Sequence, residues 1–117
     1  MTIDVRSVLD GKVWPRDVHD FLGDVVDILD EQLEPLDQSE RIDAATQLLV
    51  LLGDDDLIIR SWAVLSLRRA VEILGIGHAQ AAVNAHAEDL DVISPEMWRI
   101  QHPTLLEEAN YRLSPTS

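Results

Sequence analysis

Cysteine is absent from this chain, which excludes disulfides, thiolate metal sites and cysteine nucleophiles. Phenylalanine and tyrosine occur once each, beside three tryptophans. The core must therefore be aliphatic: leucine, valine, isoleucine and alanine, the filling of packed helices. Glycine and proline number five each and fall mostly at segment ends, which favours an all-α fold. Lysine occurs once, at Lys12, and the other eight basic residues are arginines. Fourteen aspartates and eight glutamates outweigh them, for a net charge of −13. Nucleic acids and anionic membranes attract a positive field, so this balance argues against both as partners. No stretch approaches the ~20 apolar residues of a membrane span. Residues 1–10 also lack the basic-then-apolar order of a secretory signal. These absences point to a cytoplasmic, soluble protein.

What is present is a helical pattern. The chain has 117 residues, 46% of them hydrophobic, enough for one core and inconsistent with disorder. We read residues 1–113 as a single helical domain and 114–117 as a flexible tail. A short helix is expected over 2–10, with Thr2 as its cap and Gly11 as its stop. Over 16–33, Val18, Phe21, Leu22, Val25, Val26, Ile28, Leu29 and Leu33 recur at helical spacing, and Pro35 ends the run. Asp37 and Glu40 then form a capping-box pair for a helix over 38–52. Its inward set is Ile42, Ala45, Leu48, Leu49 and Leu52, with Gly53 as a left-handed terminator. Asp54, Asp55 and Asp56 place negative charge at the next helix start, where the dipole favours it.

Residues 57–74 read as one central helix, apolar almost all round and so buried on several sides. Its polar strip is Arg60, Ser61, Arg68, Arg69 and Glu72. Gly75 and Gly77 form a hinge, after which 78–90 is an alanine-rich helix. Ser94 and Pro95 start another, and 103–113 reads as a short last helix. The expected fold is all-α, with four to six helices in antiparallel hairpins.

Asp56, Ile59, Arg60, Ala63 and Leu67, with 48–52 ending the preceding helix, resemble a HEAT or armadillo-type hairpin. The resemblance covers about 27 residues and its motif is degenerate. It implies a protein-binding scaffold without catalysis, either a miniature right-handed stack or an ordinary bundle. In such repeats the arginine often pairs with an aspartate of a neighbouring hairpin, so the resemblance implies a structural role for Arg60.

Asp17, Asp20, Asp24, Asp27, Glu31 and Glu34 recur every three or four residues. At 3.6 residues per turn they share a helix face about 100° wide, opposite the apolar set. Like charges so spaced destabilise a helix by a few tenths of a kcal/mol per pair. Such a stripe is either a solvated face in an acidic protein or a docking surface for a basic one. Arg60 and Arg68 project alike two turns apart, so they serve internal ion pairs or clamp a partner's carboxylate or phosphate. Trp62 belongs to the core. Trp14 and Trp98 sit near turns, and an exposed Trp98 would be a binding anchor.

Signs of catalysis are weak. Asp24, Asp27, Asp30 and Glu31 have the look of a magnesium cluster, but such sites need carboxylates converging from several elements. His19-Asp20 lacks the companion ligands of a metal hydrolase, and His86 with Asp89 makes only a two-ligand corner. P-loops, nucleophile elbows and cofactor-binding motifs are absent. The reading is a non-enzymatic interaction module that needs no cofactor or metal. It meets a basic protein through Asp20, Asp24, Asp27, Glu31 and Glu34, with Arg60, Arg68 and Trp98 as further contacts. The alternatives are an assembly subunit binding through an apolar face around 97–100, and a metal carrier using His78, His86 or His102.

Overall fold

The computed structural model describes residues 4–10, 29–91 and 104–114. Among them every regular element is helical, so the fold is all-α. In chain order these are α1 (Val5–Asp10), helical residues 29–33, α2 (Gln38–Val50) and a 3-10 turn (Leu51–Gly53). Then come α3 (Leu57–Leu65), α4 (Leu67–Leu74), α5 (Ile76–Ala85), α6 (Ala87–Leu90) and α7 (Leu105–Arg112). The expected caps Thr2 and Gly11, the helix start at Ser94, and Trp14 all lie outside the described residues.

Several helix starts have a side-chain cause, while α4, α5 and α6 begin without a capping side chain. Asp4 begins α1 by accepting from the Ser7 backbone N–H at 3.3 Å and from its hydroxyl at 2.8 Å. At α2 the expected capping box forms. The Glu40 N–H donates to Asp37 at 2.8 Å, and the Asp37 N–H to the Glu40 carboxylate at 3.5 Å. The Thr104 hydroxyl accepts from the Glu107 N–H at 3.3 Å and caps α7. Asp54 accepts the Asp56 N–H at 2.9 Å in the turn before α3.

The 51–56 turn brings the following helices back, and α4 packs along α2. α3 lies against the 3-10 turn and α7, while α5 covers α4. One aliphatic cluster joins all of them, and Trp62 is the single aromatic side chain buried in it among the described residues. α3 is enclosed on every side, since Ser61, Trp62, Ala63, Val64 and Leu65 are consecutive and all buried. Burial of Ser61 corrects its expected place on a polar strip. Its hydroxyl donates to the Leu57 carbonyl at 2.9 Å, so it needs no water.

Further expectations are corrected. The helix over 57–74 is broken at Ser66 (φ −92°, ψ 2°), where the regular ladder lapses for one residue. Ile42 is not inward: it is 41% exposed, and Ala44 takes the inner position. At 3.6 residues per turn Ile42 sits about 120° from the centre of the face formed by Ala44, Ala45, Leu48, Leu51 and Leu52. Gly53 is not in the left-handed region; among the described residues only Gly75 is, with φ 96°. A β-carbon at Gly53 would run into the His86 imidazole, so close approach is the reason for glycine there. Gly77 continues α5, and the alanine-rich helix breaks instead at His86.

Candidate functional site

Two adjoining features stand out: an acidic flank at 29–34 and an arginine-lined cavity behind it. The flank is pinned from both sides. The Arg41 guanidinium donates to the Leu33 carbonyl at 3.0 Å and the Glu34 carbonyl at 2.8 Å, covering a helix C-terminus that Pro35 leaves open. Arg69 of α4 reaches Asp30, Nε at 2.8 Å and a terminal nitrogen at 2.7 Å, and also holds Glu72. Thus Asp30 turns inward, while Glu31 and Glu34 stay exposed. Neither makes an ion pair among the described residues. A shallow groove of about 280 Å³ runs beside Glu34, with Leu33 and Ile73 in its wall. Asp20, Asp24, Asp27 and Trp98, also assigned to partner binding, lie outside the described residues.

The second feature sits where α3 meets α4. A cavity of about 150 Å³ is lined by Leu29, Leu65 and Ser66 together with Arg68, Arg69 and Arg112. Asp30 and Glu72 complete its wall. Ser66 is 3% exposed, and its hydroxyl has no hydrogen-bond partner. Such a buried, unmet group costs about 1–3 kcal/mol. Arg68 is exposed and makes no ion pair among the described residues. Nε of Arg112 bonds to the buried Glu108 at 3.1 Å. In a chain of net charge −13, three arginines gather around this one cavity, beside Asp30 and Glu72 in its wall and Glu108 against Arg112.

Arg60 lies apart from both features. It is half-buried, its Nε is buried without a hydrogen bond, and its charge helps lower the pKa of Asp54. Arg60 and Arg68 therefore do not share one cavity. The arginine that ties an acid of another helix is Arg69. Asp54 itself is bound by Arg6, Nε at 2.8 Å. That side-chain hydrogen bond is the main cause holding its carboxyl below the usual value; burial opposes it, and the Asp56 N–H and the Arg6 charge assist.

Among the described residues no three His, Asp or Glu side chains gather as a metal site would require. His86 and Asp89 stand 3.7 Å apart, and His78 is exposed. No described helix is long and apolar enough to cross a membrane. No family model, curated protein sequence or solved structure matches the chain.

The sequence reading missed the cavity. One signal was visible: Ser66 is a polar residue within the largely apolar stretch 62–67, where a serine must be bonded, exposed or set aside for another use. The contribution of Arg112 had no signal, because α7 joins the site only through tertiary packing.

Proposed function

We propose that this chain is a small acidic protein-interaction module, an adaptor or inhibitor, that binds a basic protein and performs no catalysis. The observation that carries the reading is the state of Glu31 and Glu34. Arg41 and Arg69 sit beside them, yet one is engaged with backbone carbonyls and the other with Asp30 and Glu72. The flank is thereby tied to α2 and α4, and its outward acids make no ion pair among the described residues. With Asp20, Asp24 and Asp27 on the same sequence period, they form the surface proposed to meet the partner. The groove beside Glu34 offers Leu33 and Ile73 to the stem of a basic side chain and the Glu34 carboxylate to its head. In the same lining Arg41 is held by the Leu33 and Glu34 carbonyls, and Arg69 by Asp30 and Glu72. The HEAT-like character of residues 48–74 belongs to the same proposal, as a scaffold that displays a face and carries no reaction.

A second reading, an assembly subunit, has one specific observation in its favour. Ile42 and Val50 are 41% and 66% exposed, with the exposed Thr46 between them, along the outer side of α2. That apolar strip predicts salt-insensitive association.

Affinity capture separates the two. The wild-type chain and a variant carrying Asp20→Asn, Asp24→Asn, Asp27→Asn, Glu31→Gln and Glu34→Gln serve as baits in nuclease-treated lysate at low and high salt. The interaction module predicts a basic protein held by wild type at low salt and lost both at high salt and by the variant. Equal capture by both baits at both salt levels would reject the flank and favour the strip on α2.

A further inference from the structure

The cavity at the α3–α4 junction holds donors that the fold does not use. The Ser66 hydroxyl is buried and unbonded. Arg68 has no ion pair among the described residues, and only Nε of Arg112 is engaged with Glu108. Arg69, by contrast, is already committed to Asp30 and Glu72. Buried hydrogen-bonding groups are nearly always paired, so an unpaired hydroxyl beside uncommitted guanidinium nitrogens calls for an acceptor from outside the chain.

We infer that this cavity is a binding site for a small monocarboxylate, a free acid of about four to six carbons. Size sets the upper limit, because a cavity of about 150 Å³ has the volume that holds a benzene-sized molecule. Charge selects a single negative charge. Arg69 is answered by Asp30 and Glu72 and Arg112 by Glu108, which leaves Arg68 as the cation of this lining with no ion pair among the described residues. A dianionic phosphate would meet these carboxylates without matching positive charge. Leu29 and Leu65 give the ligand's hydrocarbon end an apolar wall. The carboxylate end is planar and accepts two parallel bonds from the guanidinium fork of Arg68. A remaining lone pair accepts the Ser66 hydroxyl proton.

The test is a titration of the full chain followed by backbone amide NMR, with acetate, butyrate, hexanoate, benzoate, butyramide and inorganic phosphate as probes. Saturable shifts centred on Ser66, Arg68 and Arg112 are expected for butyrate, hexanoate or benzoate. Butyramide, the uncharged analogue, should bind at least tenfold more weakly. Arg68→Gln should weaken the acids at least tenfold while leaving the thermal midpoint unchanged, because Arg68 is exposed and makes no ion pair among the described residues. Ser66→Ala should weaken them several-fold. The inference is overturned if no acid gives a saturable shift at these residues, if phosphate binds more tightly than the acids, or if butyramide or Arg68→Gln leaves affinity unchanged.

Discussion

The carboxylates at the helix junctions and those on the outward flank lead different lives. Asp4, Asp37 and Asp54 accept backbone N–H groups at helix starts and turns. Asp30, Glu72 and Glu108 each hold an arginine. Glu31 and Glu34 do neither, although they share a segment with Asp30. Among the described residues the acids therefore include two populations, one used by the fold and one left over. The proposed interaction would draw on the second. Composition cannot separate them; position in the fold does.

Several substitutions would break or sharpen that contrast. The largest effect belongs to the junctions. Gly53→Ala should lower stability by about 1–3 kcal/mol, because the new methyl collides with the His86 ring. Chemical denaturation measures it, and adding His86→Ala should recover part of the loss if the collision is the cause. Next, Glu108→Ala should cost about 1–2 kcal/mol by leaving the half-buried Arg112 without its partner. A midpoint shift below the error of the denaturation curve would place Glu108 with the spare acids. Asp30→Asn should cost about 0.5–1 kcal/mol, the pair with Arg69 being partly exposed.

A smaller effect lies in pH. The Asp54 carboxyl is lowered from 3.8 by Arg6, so it binds its proton less readily in the folded state. The stability it supplies is present above the unfolded value, about 3.9, and is lost as pH falls through the lower folded value. Arg6 is substantially exposed, which limits this share to under about 1 kcal/mol. Arg6→Gln should flatten the stability curve below about pH 4 and change little at neutral pH. Smallest of all, Glu31→Gln with Glu34→Gln should leave stability within about 0.5 kcal/mol. It should rise by a few tenths if relief of like-charge repulsion dominates. A loss above 1 kcal/mol would show that the flank acids serve the fold after all.

Parts of this structure were legible in the sequence for physical reasons. The capping box at Asp37 and Glu40 depends only on residues three apart. The helix before Pro35 ends where proline forbids continuation, and Trp62 is buried because its helix offers no polar side to water. The all-α class follows from periodicity and sparse glycine. The break at Ser66 was hidden, since an apolar pattern on all sides carries no phase to interrupt. Ile42 was misplaced because the small Ala44 and Ala45 define the inner face without a strong hydrophobic signal. At Gly53 a close approach from a helix more than thirty residues away took the place of the expected turn geometry. The inward acid Asp30 and its partner Arg69 are far apart in sequence, and nothing local marks them as a pair. Of the proposed partner surface, the acids' periodicity was readable, while their division into bound and spare was not.

The most direct test of the interaction surface is the salt dependence of binding to the captured partner, measured for wild type and the five-site neutral variant. Affinity of the wild type should fall steeply as salt rises, and the variant should bind more weakly at low salt with a flatter slope. Equal affinities and equal slopes for the two proteins would contradict the acidic flank as the binding surface.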